Sequence, residues 1–252
     1  MNEDTEDHDR RSQTALGRLA AELRGRGGTA PSRTPEEAWQ CEVRELLRRA
    51  EAGALETYPG PWGRPTVLHE SGAEHAVALA DDGNRVLKFT IPCGLGLAHR
   101  LAVQWILDKL TQRWRPVLRL ERALPSEYLD RLDLANRLFD DDVRLEGIVP
   151  LPDGDVSLVT SQQFIYGTTP TRPEVEAYMR SLGFAPVPEP TDDPRIDLHF
   201  FNWYREPDGV AVADAKPVNF LKDASGDLYA IDVIPAIVNE PLLLHFHEPQ
   251  PN

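Results

Sequence analysis

With 41 acidic against 27 basic residues among 252, the chain carries a formal net charge of −14. That balance argues against a general nucleic-acid binder and against a protein held to anionic membranes, because both present a positive face. Two cysteines, Cys41 and Cys93, stand in unlike contexts; they make neither a disulfide framework nor a zinc pattern and suit a reducing cytoplasm. The opening MNEDTEDHDR is the opposite of a signal peptide. No apolar run approaches the ~20 residues a membrane span requires, and the nearest, GLGLAHRLAVQWIL, is interrupted by His99, Arg100 and Gln104. The expectation is a cytoplasmic protein with no nucleic-acid or membrane partner.

Residues 1–33 are acidic at the start and linker-like over RGRGGTAPSR (24–33), which predicts a flexible leader. Within it Leu16, Leu19 and Leu23 would share one face of a short helix over Ser12–Arg24. Residues 34–64 read as a helix and a joint. Thr34 is an N-cap, Pro35 suits the first turn, and Glu36 and Glu37 complement the helix dipole. Trp39, Val43, Leu46, Leu47 and Ala50 form the apolar stripe, and YPGPWGRP (58–65) is the joint.

From residue 66 the rhythm is that of strands: TVLHE, HAVALA and RVLKFT, the last two joined through Asp82-Gly83-Asn84, a hairpin signal. Residues 95–119 read as a helix ending near Arg115-Pro116. Pro125 opens another, PSEYLDRLDLANRLF, with Leu129, Leu132, Ala135 and Leu138 at near-helical spacing. VRLEGIVPL and DVSLVTSQQFI are strands about the turn Pro152-Asp153-Gly154. RPEVEAYMRSLGF (172–184) is a helix with a Gly183 stop, and FNWYREPDGVAVAD and LYAIDVI supply the last strands. The order predicts an α+β chain in two lobes, 65–165 and 166–252.

VADAKPVNFLKDASGDLYAIDVI (212–234) has the apolar content of strands, yet holds Asp214, Lys216, Asn219 and Asp232. Asp214 to Asn219 is D-x-K-P-x-N, and Asp232 follows Asn219 by thirteen residues across the turn KDASGD (222–227). A hairpin closed by that turn brings Asn219 and Asp232 together. An amide oxygen beside a carboxylate is a hard-oxygen site for Mg²⁺, which also leans on substrate phosphates. A carboxylate at 214 can orient a hydroxyl and accept its proton. Lys216 is placed to stabilise charge on a transferring phosphoryl group.

These residues resemble the catalytic loop and metal-binding hairpin of the protein-kinase-like superfamily. The wider pattern is most similar to the compact kinase-like domain of polyvalent proteins from phages and mobile elements. SGAEHAVALADDGNRVLKFT, PSEYLDRLDLANRLFDDDVRLEGIV, LVTSQQFI, WYREPDG and DAKPVNFL with IDVI carry this likeness, over about residues 65–235. The resemblance implies a minimal bilobal fold, with an antiparallel N-terminal sheet and hinge at 65–165 and an abbreviated C-terminal lobe at 166–252. It implies ATP and Mg²⁺ as cofactors, with Asp214 and Lys216 catalytic and Asn219 and Asp232 holding metal. Lys88 resembles the strand lysine on the α/β-phosphates, and Glu127 the helix glutamate that holds it; a first-turn acid favoured by the helix dipole is the competing role for Glu127. Thr160 resembles the gatekeeper and Ser161, Gln162, Gln163 and Phe164 the adenine hinge, while Gly72 is what remains of a phosphate-covering glycine loop. The chain departs from the superfamily in lacking G-x-G-x-x-G, in Val212-Ala213 before the aspartate, and in Ile-Asp-Val for Asp-Phe-Gly. No A-P-E segment follows Asp232, so the usual helical substrate platform is expected to be absent.

The implied activity is phosphoryl transfer from ATP to a protein or small-molecule hydroxyl. Nucleotidyl transfer on the same fold and a non-catalytic nucleotide-binding module are the alternatives, and modification of a host factor is a third idea resting on the mobile-element likeness alone. Other features have plainer readings. His245 and His247 are tail or strand residues, Asp140-Asp141-Asp142 ends a helix and starts a turn, and Trp203-Tyr204 packs in the C-terminal lobe.

Overall fold

The structure, a computed structural model, describes residues 15–27, 34–60, 67–69, 74–91, 99–107, 112, 114–187 and 203–237. The helices described are α1 (Ala15–Gly27), α2 (Pro35–Glu51), α3 (Pro125–Phe139) and α4 (Arg172–Ser181). The first strands are β1 (Glu56–Thr57), β2 (Val67–His69), β3 (His75–Leu79), β4 (Arg85–Thr90), β5 (His99–Leu107), β6 (Trp114–Arg122), β7 (Arg144–Pro150) and β8 (Val156–Gln163). After α4 come β9 (Ala185–Pro186), β10 (Trp203–Arg205), β11 (Val210–Ala213), β12 (Phe220–Lys222), β13 (Leu228–Ala230) and β14 (Ile234–Ile237). The architecture is α+β, as the order of elements predicts. The chain divides into two compact units, one of residues up to His99 with Arg122–Phe164, the other of Arg100–Glu121 with Ile165 onward.

The first unit is built on a sheet ordered β1-β7-β8-β4-β3-β2, antiparallel except where β1 runs parallel to β7. Its central strand β8 is buried throughout save Gln163, so its two faces feed two cores. Ile148 and Leu158 join Leu16, Leu23, Leu46 and Leu129 from the helices, while their neighbours Val149 and Val159 join Ala76, Leu87 and Phe89. The expected hairpin between β3 and β4 is present: Gly83 adopts φ +70 and donates its N–H to Ala80 O at 2.9 Å.

Helix α1 corrects the expected leader. Leu16, Leu19, Ala20 and Leu23 lie in the first unit's main core, and Arg24 pairs with Asp130 of α3. Four apolar residues on one face bury enough surface to order this segment despite its polar flanks. Likewise α2, read as part of a separate segment, packs Trp39, Val43 and Leu46 into that same core. Thr34 and Glu37 close a reciprocal capping box at its start.

Helix α3 is fixed by buried polar contacts. Glu42 of α2, 2% exposed, accepts from the Ser126 backbone N–H and hydroxyl, both at 2.8 Å, at the helix N-terminus. Burial pushes the Glu42 carboxyl up, against the lowering pull of those two bonds. Arg131 makes a bidentate pair with Glu74 at 2.6 and 3.0 Å, and His75 Nε2 lies 2.7 Å from the Tyr128 hydroxyl. These contacts tie the helix to the start of β3.

The second unit holds an antiparallel sheet ordered β14-β11-β10-β9, the β12–β13 hairpin, the two-stranded β5–β6 sheet and α4. Helix α4 ends in a full Schellman motif: Gly183 at φ +83 donates to Arg180 O, and Phe184 donates to Met179 O. The chain before α4 crosses the hairpin closely. Thr168 and Lys222 exchange backbone bonds at 2.9 and 2.8 Å, and a Cβ on Gly167 would stand 2.6 Å from Lys222 O. The expected helix over 95–119 is instead the strand pair β5–β6. Leu101, Val103, Trp105 and Leu107 alternate with period two, a signal masked by apolar Ala102 and Ile106 in the other phase. Pro116, which a helix interior would not tolerate, sits within β6. This pair also belongs to the second unit, not to the 65–165 lobe. Among the described residues no helix is long and apolar enough to cross a membrane. Gly72, Cys93, His245 and His247 lie outside the described residues.

Two outcomes follow. Leu23, fully buried, is expected to cost about 2–5 kcal/mol of urea-unfolding free energy as Leu23→Ala; an unchanged stability would return α1 to the status of a leader. In the second unit, Lys222 Nζ lies 2.6 Å from Glu174 Oε1. Mainly through that ammonium, and then through Thr171, the Glu174 carboxyl falls from 4.5 to about 2. A folded-state value below the unfolded one contributes stability that is complete above 4.5 and lost as pH falls through about 2. The stability gap between wild type and Lys222→Met is therefore expected to be widest at neutral pH and to close in acid, measured by urea unfolding across that range.

Candidate functional site

In the second unit, β11 and β14 end side by side, with Ala213 opposite Ile234. Everything from Asp214 to Val233 is thus an excursion stapled at its base, and both carboxylates, Asp214 and Asp232, emerge near that staple. Asp214 adopts φ +55, a left-handed conformation that aspartate tolerates better than most residues. A 3-10 turn, Pro217–Asn219, then carries the chain into β12. Asn219, 8% exposed, donates its amide N–H groups to Asp214 O at 2.7 Å and Asp214 Oδ2 at 2.8 Å. Lys216 Nζ lies 2.9 Å from Asp214 Oδ1.

The hairpin folds as the spacing predicts, with Phe220 opposite Ala230 and Lys222 opposite Leu228. Ile231 N donates to Asn219 O at 2.9 Å, which sets Asp232 one residue from Asn219's own partner. Burial pushes the Asp214 carboxyl up; Lys216 and Asn219 oppose this, and the Asp232 charge adds to it. Asp214, Lys216, Asn219 and Asp232 therefore form one cluster. Its donors suit a hard cation. Both Asn219 bonds to Asp214 use the amide nitrogen, leaving Oδ1 outside them, and Asp232 adds a half-buried carboxylate.

In the first unit, Lys88 lies on β4 opposite Thr160 of β8, with Val86 opposite Gln162. Thr160 is fully buried, and its hydroxyl has no hydrogen-bond partner among the described residues. Ser161 accepts from Arg85 Nε at 2.8 Å and donates to Glu146. The pairing of β7 with β8 runs to Arg144 opposite Ser161, and Gln162 and Gln163 lie opposite Val86 and Arg85 of β4. The Phe164 N–H is already engaged by Asn84 O at 2.9 Å. Glu127 Oε2 accepts from the Leu124 backbone N–H at 2.8 Å, the helix-start role that competed with a lysine partnership.

Residues 120–239 match the family model of the serine/threonine/tyrosine kinase found in polyvalent proteins. The match supports a kinase-like domain of polyvalent proteins over that segment. No curated protein and no solved structure matches the chain. The matched segment contains Glu127, β8 and the whole Asp214–Asp232 cluster, whereas Lys88 precedes it.

The three aspartates between α3 and β7 are the residues whose individual parts the sequence hid. Asp140 is the left-handed C-cap of α3, at φ +51. Asp142 pairs with Arg85 at 2.5 Å and Arg144 at 2.7 Å, which hold its carboxyl below the usual range, Arg144 foremost. Asp141 turns inward, and both its oxygens accept from Gln162 Nε2 at 2.8 Å. Burial pushes its carboxyl up, opposed by Gln162 and by the charge of Lys88. A run of three like residues gives no hint of which one is buried.

The Asn219 clamp is open to a direct measurement. Asn219→Ala removes two donors from a half-buried carboxylate and carbonyl, and a loss of about 1–3 kcal/mol of unfolding free energy is expected without any ligand. Urea unfolding at neutral pH reads it, and an unaltered midpoint would deny the clamp a structural part.

Proposed function

We propose that the chain is an ATP- and Mg²⁺-dependent phosphotransferase that acts on a hydroxyl of a protein or small molecule. The observation that carries the reading is the convergence of Asp214, Lys216, Asn219 and Asp232 at one end of two adjoining strands, inside a kinase-like segment. Asn219 and Asp232 would hold the metal through an amide and a carboxylate oxygen. Bound there, Mg²⁺ supplies charge neutralisation to the phosphate oxygens of the nucleotide.

Asp214 orients the acceptor hydroxyl and takes its proton. Its burial and its neighbour Asp232 favour the proton-holding form, which strengthens it as a base relative to an exposed aspartate. Lys216, with a side chain 40% exposed beside Asp214, is available to charge developing on the transferred group. Lys88 binds nucleotide phosphates, and the strand segment Ser161, Gln162 and Gln163 at the end of β8 receives the base. Gly72 would cover the phosphates.

Thermal shift with ATP, with and without Mg²⁺, tests binding, and incubation with γ- or α-labelled ATP tests transfer. Wild type is expected to be stabilised by ATP only with Mg²⁺ and to release or transfer the γ-label. Asp232→Ala should lose the Mg²⁺ dependence. Asp214→Ala should keep binding but slow transfer by about 10²–10⁴-fold. Transfer of the α-label would make the enzyme a nucleotidyl transferase. Binding of Mg·ATP without transfer of either label, in wild type as in Asp214→Ala, would make it a non-catalytic module.

A further inference from the structure

The two carboxylate oxygens of Asp214 are held in different ways. Oδ2 accepts from the Asn219 amide at 2.8 Å, and that amide also holds Asp214 O at 2.7 Å, so this oxygen is braced by a buried neighbour. Oδ1 is closed off from water and makes no directed hydrogen bond among the described residues; what stands against it is the Lys216 ammonium, at 2.9 Å. The backbone of Lys216 is fixed, since Ala215 before it is fully buried and Lys216 O accepts from Asn219 N at 2.9 Å. Its side chain is nonetheless 40% exposed, against 16% for Asp214. An ion pair with one member that exposed is weak and exchangeable, and a phosphate oxygen competes for the ammonium with a charge-assisted bond of its own. A lysine anchored at its backbone and loose at its head, set on an oxygen that water does not reach, has the build of a removable cap.

We propose that Lys216 caps Asp214 Oδ1 in the nucleotide-free chain and that the terminal phosphate of Mg·ATP uncaps it, so that nucleotide binds before the acceptor. This rests on the reading of the chain as an ATP-dependent phosphotransferase and adds to it an order of events. With the ammonium drawn to the terminal phosphate, Oδ1 is open to the acceptor hydroxyl. The acceptor oxygen then bonds to phosphorus as the bond to the departing ADP breaks, and the hydroxyl proton passes to Oδ1. Mg·ADP, which ends one phosphate short, leaves the cap in place.

The chain's lysines are Lys88, Lys109, Lys216 and Lys222, so NMR of the full chain labelled with ¹³Cε-lysine reads the Lys216 head group directly. Without nucleotide, Asp214→Asn should move the Lys216 signal and leave that of Lys222, paired with Glu174 at 2.6 Å, in place. Saturating Mg²⁺ with the β,γ-imido analogue of ATP should move the wild-type signal and end its dependence on residue 214, whereas Mg·ADP should do neither. Calorimetry supplies a second readout. Because wild type must break the pair on binding, Asp214→Asn should bind the Mg²⁺-bound analogue about threefold more tightly and Mg·ADP no differently. In the Lys216→Met background, Asp214→Asn should bring no such gain; a gain that persists there is simple charge repulsion by Asp214 and counts against the cap. A Lys216 signal indifferent to Asp214→Asn, or one still dependent on it with the analogue bound, overturns the proposal and leaves the proposed function standing. Wild type that binds neither nucleotide overturns both.

Discussion

The Asp214–Asp232 excursion of the second unit hangs on one side-chain amide. Asp214 occupies a left-handed conformation that costs a non-glycine residue about 1–2 kcal/mol, and Asn219 gives its two N–H groups to the carbonyl and carboxylate of that same residue. The bonds offset the strain and fix Asp214 against the 3-10 turn. They also choose which end of the Asn219 amide faces the aspartate. Nitrogen is spent inward, so oxygen is what remains. The residue that braces the backbone is also the one proposed to give a metal a hard donor, used from opposite ends. The strand pair beneath, Ala213 against Ile234, then ensures that the return of the chain brings Asp232 back to where Asp214 left.

In the first unit the comparable role falls to helix α3, and the contacts that hold it are polar and buried. Glu42 receives its N-terminus, Arg131 grips Glu74, and Tyr128 meets His75. Such pairs contribute little net stability, because desolvation offsets most of their attraction. What they contribute is position. An apolar helix face could slide or rotate on the sheet at small cost, but a bidentate arginine pair and a carboxylate seated on the first backbone amides have one register. That register places the end of α3, and hence the aspartate turn, over the strand that carries Lys88.

Much of this was legible before any coordinates, where local chemistry is unambiguous. Pro125 marks the first residue of α3, Gly183 its stop signal for α4, and the Asp-Gly-Asn turn the β3–β4 hairpin. The Asp214–Asp232 hairpin is readable because its turn residues leave one way to fold it. The β5–β6 pair was not, since apolar residues in both phases of a strand mimic a helix face. Helix α1 was legible in the spacing of Leu16, Leu19 and Leu23, but its place in the core was not, because its flanks have the composition of a leader and a linker. Asp141 was hidden for a different reason. Burial of one aspartate among three depends on the left-handed cap at Asp140 and on Gln162, more than twenty positions away, and neither is a local signal.

The charged groups assigned to the proposed reaction each meet a partner of opposite sign within their own unit. Lys216 rests on Asp214, and Lys88 lies in the field of Asp141. An ammonium already neutralised is a weaker magnet for phosphate than a bare one, so these pairings lower the raw attraction for a nucleotide. They also remove a larger cost. A chain with fourteen excess negative charges would otherwise scatter its few lysines among many carboxylates, and each would have to be gathered at the moment of binding, with loss of side-chain freedom. Holding Lys216 against Asp214 meets that entropic cost during folding. The two pairs need not behave alike once phosphate arrives. Asp141 is half-buried and tied to Gln162, whereas Lys216 keeps a substantially exposed side chain beside Asp214. In the proposed reaction it is an exposed lysine beside Asp214 that can serve the transition state, which is where differential binding counts.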